Sequence, residues 1–142
     1  SNNNAPFDHL QIFIRPNTKE TYIYNILIYI SDKAKLRIDT RNDGTMNDWK
    51  NNLFYGNLII DGSSDYEHNG TELFTNPLLV NPGGTTANDY KLQPASPALG
   101  TGFIINGTSD SKNYIQNNGG RDYFGNAVSS DSKPNIGAYN GN

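Results

Sequence analysis

Two hexapeptides, at positions 24–29 and 50–55, constrain this chain more than any other feature. Tyr24–Tyr29 reads YNILIY and Lys50–Tyr55 reads KNNLFY, so Asn25 falls on Asn51, Leu27 on Leu53, Ile28 on Phe54 and Tyr29 on Tyr55. That offset is the size of one structural repeat in a solenoid, where equivalent side chains of successive coils sit above one another. Aliphatics then pile into a continuous core, and Asn amides can hydrogen-bond along a ladder. The alternative is chance similarity between two buried strands.

The surrounding pattern favours strands. No window of a dozen residues sustains the three-and-four spacing of an amphipathic helix, and Gly or Pro interrupts most candidates. The 14 Gly, 7 Pro and 22 Asn mark a chain of many short connections, because Gly and Asn tolerate positive φ. Leu10, Ile12 and Ile14 alternate with polar positions. Tyr22–Ile30 is apolar on both parities, as expected of a strand covered on both faces. Further strands are expected around Leu36 and Ile38, along Asn51–Ile60, and in LFTNPLLV and DYKL. The fold class read from this pattern is all-β.

Composition narrows the function. A chain of 142 residues is one domain's worth. With 9 Tyr, 6 Phe and repeated Ile/Leu clusters it carries too much apolar side chain to remain disordered. Net charge is −3 with no basic stripe, so no nucleic-acid partner is expected. No apolar run approaches membrane-spanning length, and the N-terminus has no signal-peptide pattern. The opening SNNNAP is compatible with a mature or excised piece of something longer. The absence of Cys removes disulfides and thiol chemistry and leaves the compartment open.

After Leu73 the repeat dissolves into Pro/Gly turns with single apolar anchors. Tyr90–Gly102, YKLQPASPALGTG, has Leu92, Ala98 and Leu99 to bury, while Pro94 and Pro97 block regular pairing. A stiff segment without a usable edge suits a terminal cap over an exposed core layer. The expected organisation is terminal coils over residues 1–72 and an irregular capping segment of the same domain over residues 73–142.

These motifs carry a resemblance. LFTNPLLVNP, NDYKLQPASPALGTG, GGRDYFGNAV and PNIGAYNG resemble, in order, the C-terminal end of bacterial right-handed parallel β-helix proteins of the polysaccharide lyase and glycoside hydrolase type. The matching residues are Asn76-Pro77, Tyr90, Leu92, Ser96-Pro97-Ala98, Gly102, Asp122, Gly125-Asn126 and Ile136-Gly137-Ala138-Tyr139. Asn76, Leu99 and Asn140 depart from that pattern. The resemblance implies terminal coils plus cap of a secreted or cell-surface carbohydrate-active protein. Its partners would be a polysaccharide or oligosaccharide, and either the rest of a longer β-helix chain or a second polypeptide covering the N-terminal coil. It also implies that catalysis lies on coils outside this chain. The other class it admits is a non-catalytic glycan-binding β-helix.

Few residues stand out as chemical candidates. Glycosidases need paired carboxylates, for which Asp39, Asp43, Asp48, Asp61, Asp65, Glu67 and Glu72 are available. The richest loop is Arg41–Trp49, RNDGTMNDW, with the only tryptophan. Trp49 could stack on a sugar ring while Asp48 and Asp43 grip hydroxyls, or it could simply pack on the core. Tyr55, Tyr66 and His68 complete the carbohydrate-binding candidates. Lys33, Lys35 and Arg37, with Arg15 and Lys19, give a modest basic face diluted by Asp32 and Asp39. DTRNDG at Asp39–Gly44 fails as a calcium loop, because Arg41 and Lys50 stand where ligands are required. Neither a metal nor a cofactor is expected.

Overall fold

The computed structural model describes residues 9–13, 22–30, 35–39, 48–61, 71–105 and 120–141. Among them, seven short strands run in order: β1 (His9–Phe13), β2 (Tyr22–Tyr24), β3 (Leu27–Tyr29), β4 (Lys35–Asp39), β5 (Asp48–Lys50), β6 (Leu53–Tyr55) and β7 (Leu58–Asp61). The chain passes through β1, β2 and β3, then repeats the pass in β4, β5 and β6. Each strand of the second pass lies parallel to its equivalent in the first, and β7 extends the first sheet to the order β1-β4-β7.

The pairing register is the offset of the two hexapeptides. His9 faces Lys35, Tyr22 faces Asp48 and Leu27 faces Leu53, the same step along the chain in all three sheets. Leu36 faces Leu58, so the next step is shorter. The run Tyr22–Ile30 is two strands rather than one. Asn25, at φ 57°, breaks it, and Asn51 at φ 51° makes the same corner between β5 and β6. Asn is among the few residues that visit the left-handed region at low cost. Gly56, at φ 111°, turns the chain out of β6 directly against Ile30, its equivalent in the first pass.

Successive residues of a strand point to opposite faces, and β6 is buried on both. Phe54 keeps 2% of its surface, pairs with Ile28, and lies 6.0 Å ring to ring from Phe74. Leu53, on the opposite face, is fully buried in a cluster with Leu79, Leu92, Ala98 and Ile136, against which Leu27, Tyr29, Tyr55 and Leu73 pack. Each such buried aliphatic contributes roughly 1.5–3 kcal/mol.

Leu73 prolongs the parallel column by a bridge to Leu53, and the chain then leaves the strands. LFTNPLLV and DYKL, expected as strands, form neither. They meet at an antiparallel bridge between Leu79 and Leu92, flanked by Val80 N–H on the Lys91 carbonyl and Gln93 N–H on the Leu78 carbonyl (both 2.9 Å), and Ala87–Tyr90 is a 3-10 turn. The turn is held by Asp89, whose carboxylate accepts from the Thr86 N–H (2.9 Å) and hydroxyl (2.7 Å). These local bonds outcompete an extended conformation.

The described part of the C-terminal segment is anchored on both passes. It lies along the flank of β3 and β6 and returns to the first pass. The Asn51 side-chain amide donates to the Thr101 carbonyl (2.7 Å). Asn25 clamps Phe103 twice, donating to its carbonyl (2.9 Å) and accepting from its N–H (2.6 Å). Residues 101–103 therefore cross the strands, from the second pass to the first. Gly102 makes the crossing possible, because a Cβ there would lie 2.7 Å from the Pro134 carbonyl oxygen. The tail then lies beside this segment, with Ile136 N–H on the Ala98 carbonyl and Gly137 N–H on the Asn25 carbonyl (both 2.9 Å). A proline-rich segment cannot pair as a strand, so the asparagine corners satisfy its backbone instead.

The short motifs have local roles. Ser96 is buried and donates to the Pro77 carbonyl (2.5 Å), while accepting from Ala98 N–H (3.2 Å). Asp122 accepts from the N–H groups of Phe124 and Asn126 and from the Asn126 amide (each 2.8 Å). It also accepts from Asn140 N–H, so one carboxylate joins the 122–126 turn to the tail.

Candidate functional site

The outer face of β2 and β5 gathers three aromatic rings and a lysine, with Tyr22 exposed. Tyr22 and Tyr24 share one face of β2. Ile23, between them, points the other way and is the register partner of buried Trp49. Tyr22 is half exposed and its ring lies 5.9 Å from that of Tyr24. Phe103, brought in by the Asn25 clamp, lies 5.1 Å from Tyr24. The Lys50 ammonium sits over both rings, 4.8 Å from Phe103 and 5.6 Å from Tyr24.

Chemically this is an aromatic surface with one cation at its edge. Ring faces attract the axial C–H groups of sugars and other apolar faces, and an ammonium attracts carboxylate or sulfate. The same cation–π contacts also hold Phe103 on the strands, so the patch contributes to stability as well. A second cluster joins Lys91 to Phe124 and Tyr139, at 5.0 and 5.7 Å from the ring centroids. Tyr123, the most exposed large apolar side chain described, flanks it.

The residues expected from sequence distribute unevenly. Trp49 is fully buried, so of its two readings the packed one describes it and its ring offers no face to a sugar. Asp48, next to it, pairs with Tyr22 in register. Tyr55 is half-buried and stacks on Tyr29 at 5.5 Å, inside the contact between strands and C-terminal segment. Asp43, Tyr66 and His68 lie outside the described residues, as do Asp65 and Glu67. Of the carboxylate candidates, Asp39 and Asp61 end β4 and β7 in the same register, and Glu72 is buried.

Sequence reasoning did not single out Tyr22, Tyr24, Lys50 and Phe103 together. One signal was available, because the hexapeptide alignment sets Tyr24 on Lys50. Nothing local points to Phe103, which arrives from 78 residues away.

Two carboxyl groups of the C-terminal segment are held below their ordinary range. At Asp89 the cause is the Thr86 hydroxyl, then Thr86 N–H and the Asn81 amide. At Asp122 partial burial pushes the other way, and the bonds from Asn126, Asn140 and Phe124 together outweigh it. Both carboxylates are occupied by hydrogen bonds that hold their own turns, and at Asp122 the tail as well, which makes them structural anchors.

Among the described residues no group of three or more His, Asp or Glu is placed to hold a metal ion, and no helix is long and apolar enough to cross a membrane. Comparison with protein-family models, with curated proteins and with solved structures finds no match to this chain.

Proposed function

We propose that this chain forms the terminal coils of a right-handed parallel β-helix from a secreted, carbohydrate-active protein, and that its C-terminal segment locks those coils together. The observation that carries the reading is one geometry repeated twice. Parallel partners at a constant chain offset place left-handed Asn25 and Asn51 at equivalent corners, and both corners bind the same crossing segment. Stacked coils with in-register side chains are what a solenoid requires. The sugar-processing role rests on the order of the motifs from Asn76-Pro77 to Tyr139.

The coil geometry is tested by cross-linking. The chain has no native Cys, so replacing Tyr29 and Tyr55 by Cys gives a single possible disulfide. Register partners in adjacent strands meet the Cα separation a disulfide needs, and bridging under mild oxidation is expected. Failure of this pair to bridge, with the reduced variant folded, would reject the coil stack.

A second reading, a non-catalytic glycan-binding module, is favoured by the exposed Tyr22 ring beside Tyr24, Phe103 and Lys50. The class of glycan it fits is acidic. Electrophoresis through gels containing pectate, alginate or chondroitin sulfate, with neutral dextran as the control, should retard the protein on an acidic gel. Tyr22→Ala should remove the retardation without moving the urea midpoint. Equal mobility on all gels would leave only the structural role.

A further inference from the structure

We infer that Asn25 is a positioning residue for the aromatic surface on β2 and β5: by holding Phe103 there it sets the affinity for an acidic glycan, and bound glycan in turn holds the crossing segment down. This rests on the glycan-binding reading of that surface and adds what controls it.

Three stretches of chain build the surface. β2 supplies Tyr22 and Tyr24, β5 supplies Lys50, and the crossing segment supplies Phe103. The first two are fixed to each other by strand register, with Tyr24 opposite Lys50. Phe103 lies outside the strands, and side-chain bonds take the place of a ladder. The Asn25 amide donates to the Phe103 carbonyl (2.9 Å), and its oxygen accepts from the Phe103 N–H (2.6 Å). Asn25 follows Tyr24 directly, so this clamp sets the Phe103 ring 5.1 Å from the Tyr24 ring. It also brings Phe103 under the Lys50 ammonium, at 4.8 Å, nearer than Tyr24 at 5.6 Å. Two rings beneath one ammonium help to fix where that charge sits on its flexible stem.

The same residue ties the surface to the rest of the C-terminal segment. The Asn25 N–H donates to the Lys50 carbonyl (3.2 Å), and its carbonyl accepts from Gly137 N–H (2.9 Å). β5, the crossing segment and the tail therefore meet at one asparagine. A sugar chain resting on Tyr24 meets Phe103 as well, and so binds best to molecules whose crossing segment is down. Apparent affinity then scales with the fraction in that state. By reciprocity, the glycan stabilises the docked segment by the same coupling.

Asn25→Gly separates the clamp from the corner, because Gly accepts the φ of 57° without strain and lacks only the side chain. The wild-type protein should be retarded on pectate, alginate or chondroitin sulfate gels, and on the same gel Asn25→Gly should bind about tenfold more weakly, as expected for one or two lost hydrogen bonds. Phe103→Leu, which keeps the backbone clamp and loses the ring, should weaken retardation on that gel as well. The readout that a purely structural asparagine would not move is hydrogen exchange in the wild type. Short oligosaccharides of the retarding polysaccharide, at about ten times the binding midpoint, should slow exchange of Phe103 N–H about tenfold. They should leave Gly84 N–H, in the turn after Asn81, unchanged. Equal retardation of wild type and folded Asn25→Gly, or Phe103 exchange indifferent to the glycan, would overturn the inference while the glycan reading stands. Should Asn25→Gly fail to fold, the wild-type exchange decides alone. A wild type that no acidic gel retards removes the glycan reading itself, and this inference with it.

Discussion

Asn52 gives the sharpest test of how the two passes are held together. It is fully buried, accepts from Ile26 N–H (2.9 Å) and donates to the Ile23 carbonyl (2.9 Å), so one amide bridges the passes in both directions. Asn52→Asp keeps the shape and the acceptor but replaces the donor with an oxygen facing a carbonyl. A buried carboxylate so placed is strongly disfavoured, and the folded protein escapes by taking up a proton. That escape sets the ceiling on the penalty. With an unfolded carboxyl near 3.9, holding the proton at pH 7 costs about 4 kcal/mol. At pH 4.5 the same relation gives about 1 kcal/mol, and the protonated acid can again donate to Ile23. The sign follows from linkage: the folded value is raised, so the variant loses stability as pH rises. Urea unfolding of variant and wild type at both pH values measures the difference, which removes the contribution of the other carboxylates. A loss of a few kcal/mol at neutral pH that shrinks in acid is expected. An equal loss at both pH values would refute the account of Asn52 as a two-way bridge.

Gly56→Ala should destabilise by more than about 2 kcal/mol, because it combines positive φ with a Cβ overlapping the Ile30 carbonyl oxygen; thermal unfolding would read this as a clear drop in midpoint. Asp122 has a folded value below its unfolded one, so its stabilisation is present above the ordinary carboxylate range and is lost as pH falls through the lowered value. Wild-type stability should therefore fall below about pH 4, and Asp122→Ala should show a flatter acid limb along with lower stability at neutral pH. Ser96→Ala removes the buried bond to the Pro77 carbonyl and should cost about 1–3 kcal/mol by urea titration. An unchanged midpoint in that variant would mean that water replaces the hydroxyl.

What the sequence determined by itself is the part that depends on local periodicity and on residues with few backbone options. The hexapeptide alignment is the β3–β6 register, because parallel strands in repeated passes bring equal positions together. The apolar parities of Tyr22–Ile30 suggested coverage on both sides, but Tyr22 and Ile26 are exposed and only Ile30 of that run is buried. The asparagines marked corners through their tolerance of positive φ, although their break of that run into β2 and β3 was not legible from hydrophobicity alone. Tertiary structure decided the rest. Segment 73–142 announces through its Pro and Gly only that it cannot pair regularly. Its position on the flank was set by Asn25 and Asn51 bonding to residues 101–103, far along the chain from either corner. Trp49 could not be assigned from its neighbours, because whether a ring is buried depends on what the rest of the chain lays over it. The aromatic patch shares that origin. It is built from strand residues and from a side chain delivered by the returning C-terminal segment, and no local pattern encodes a contact between surfaces so far apart along the chain.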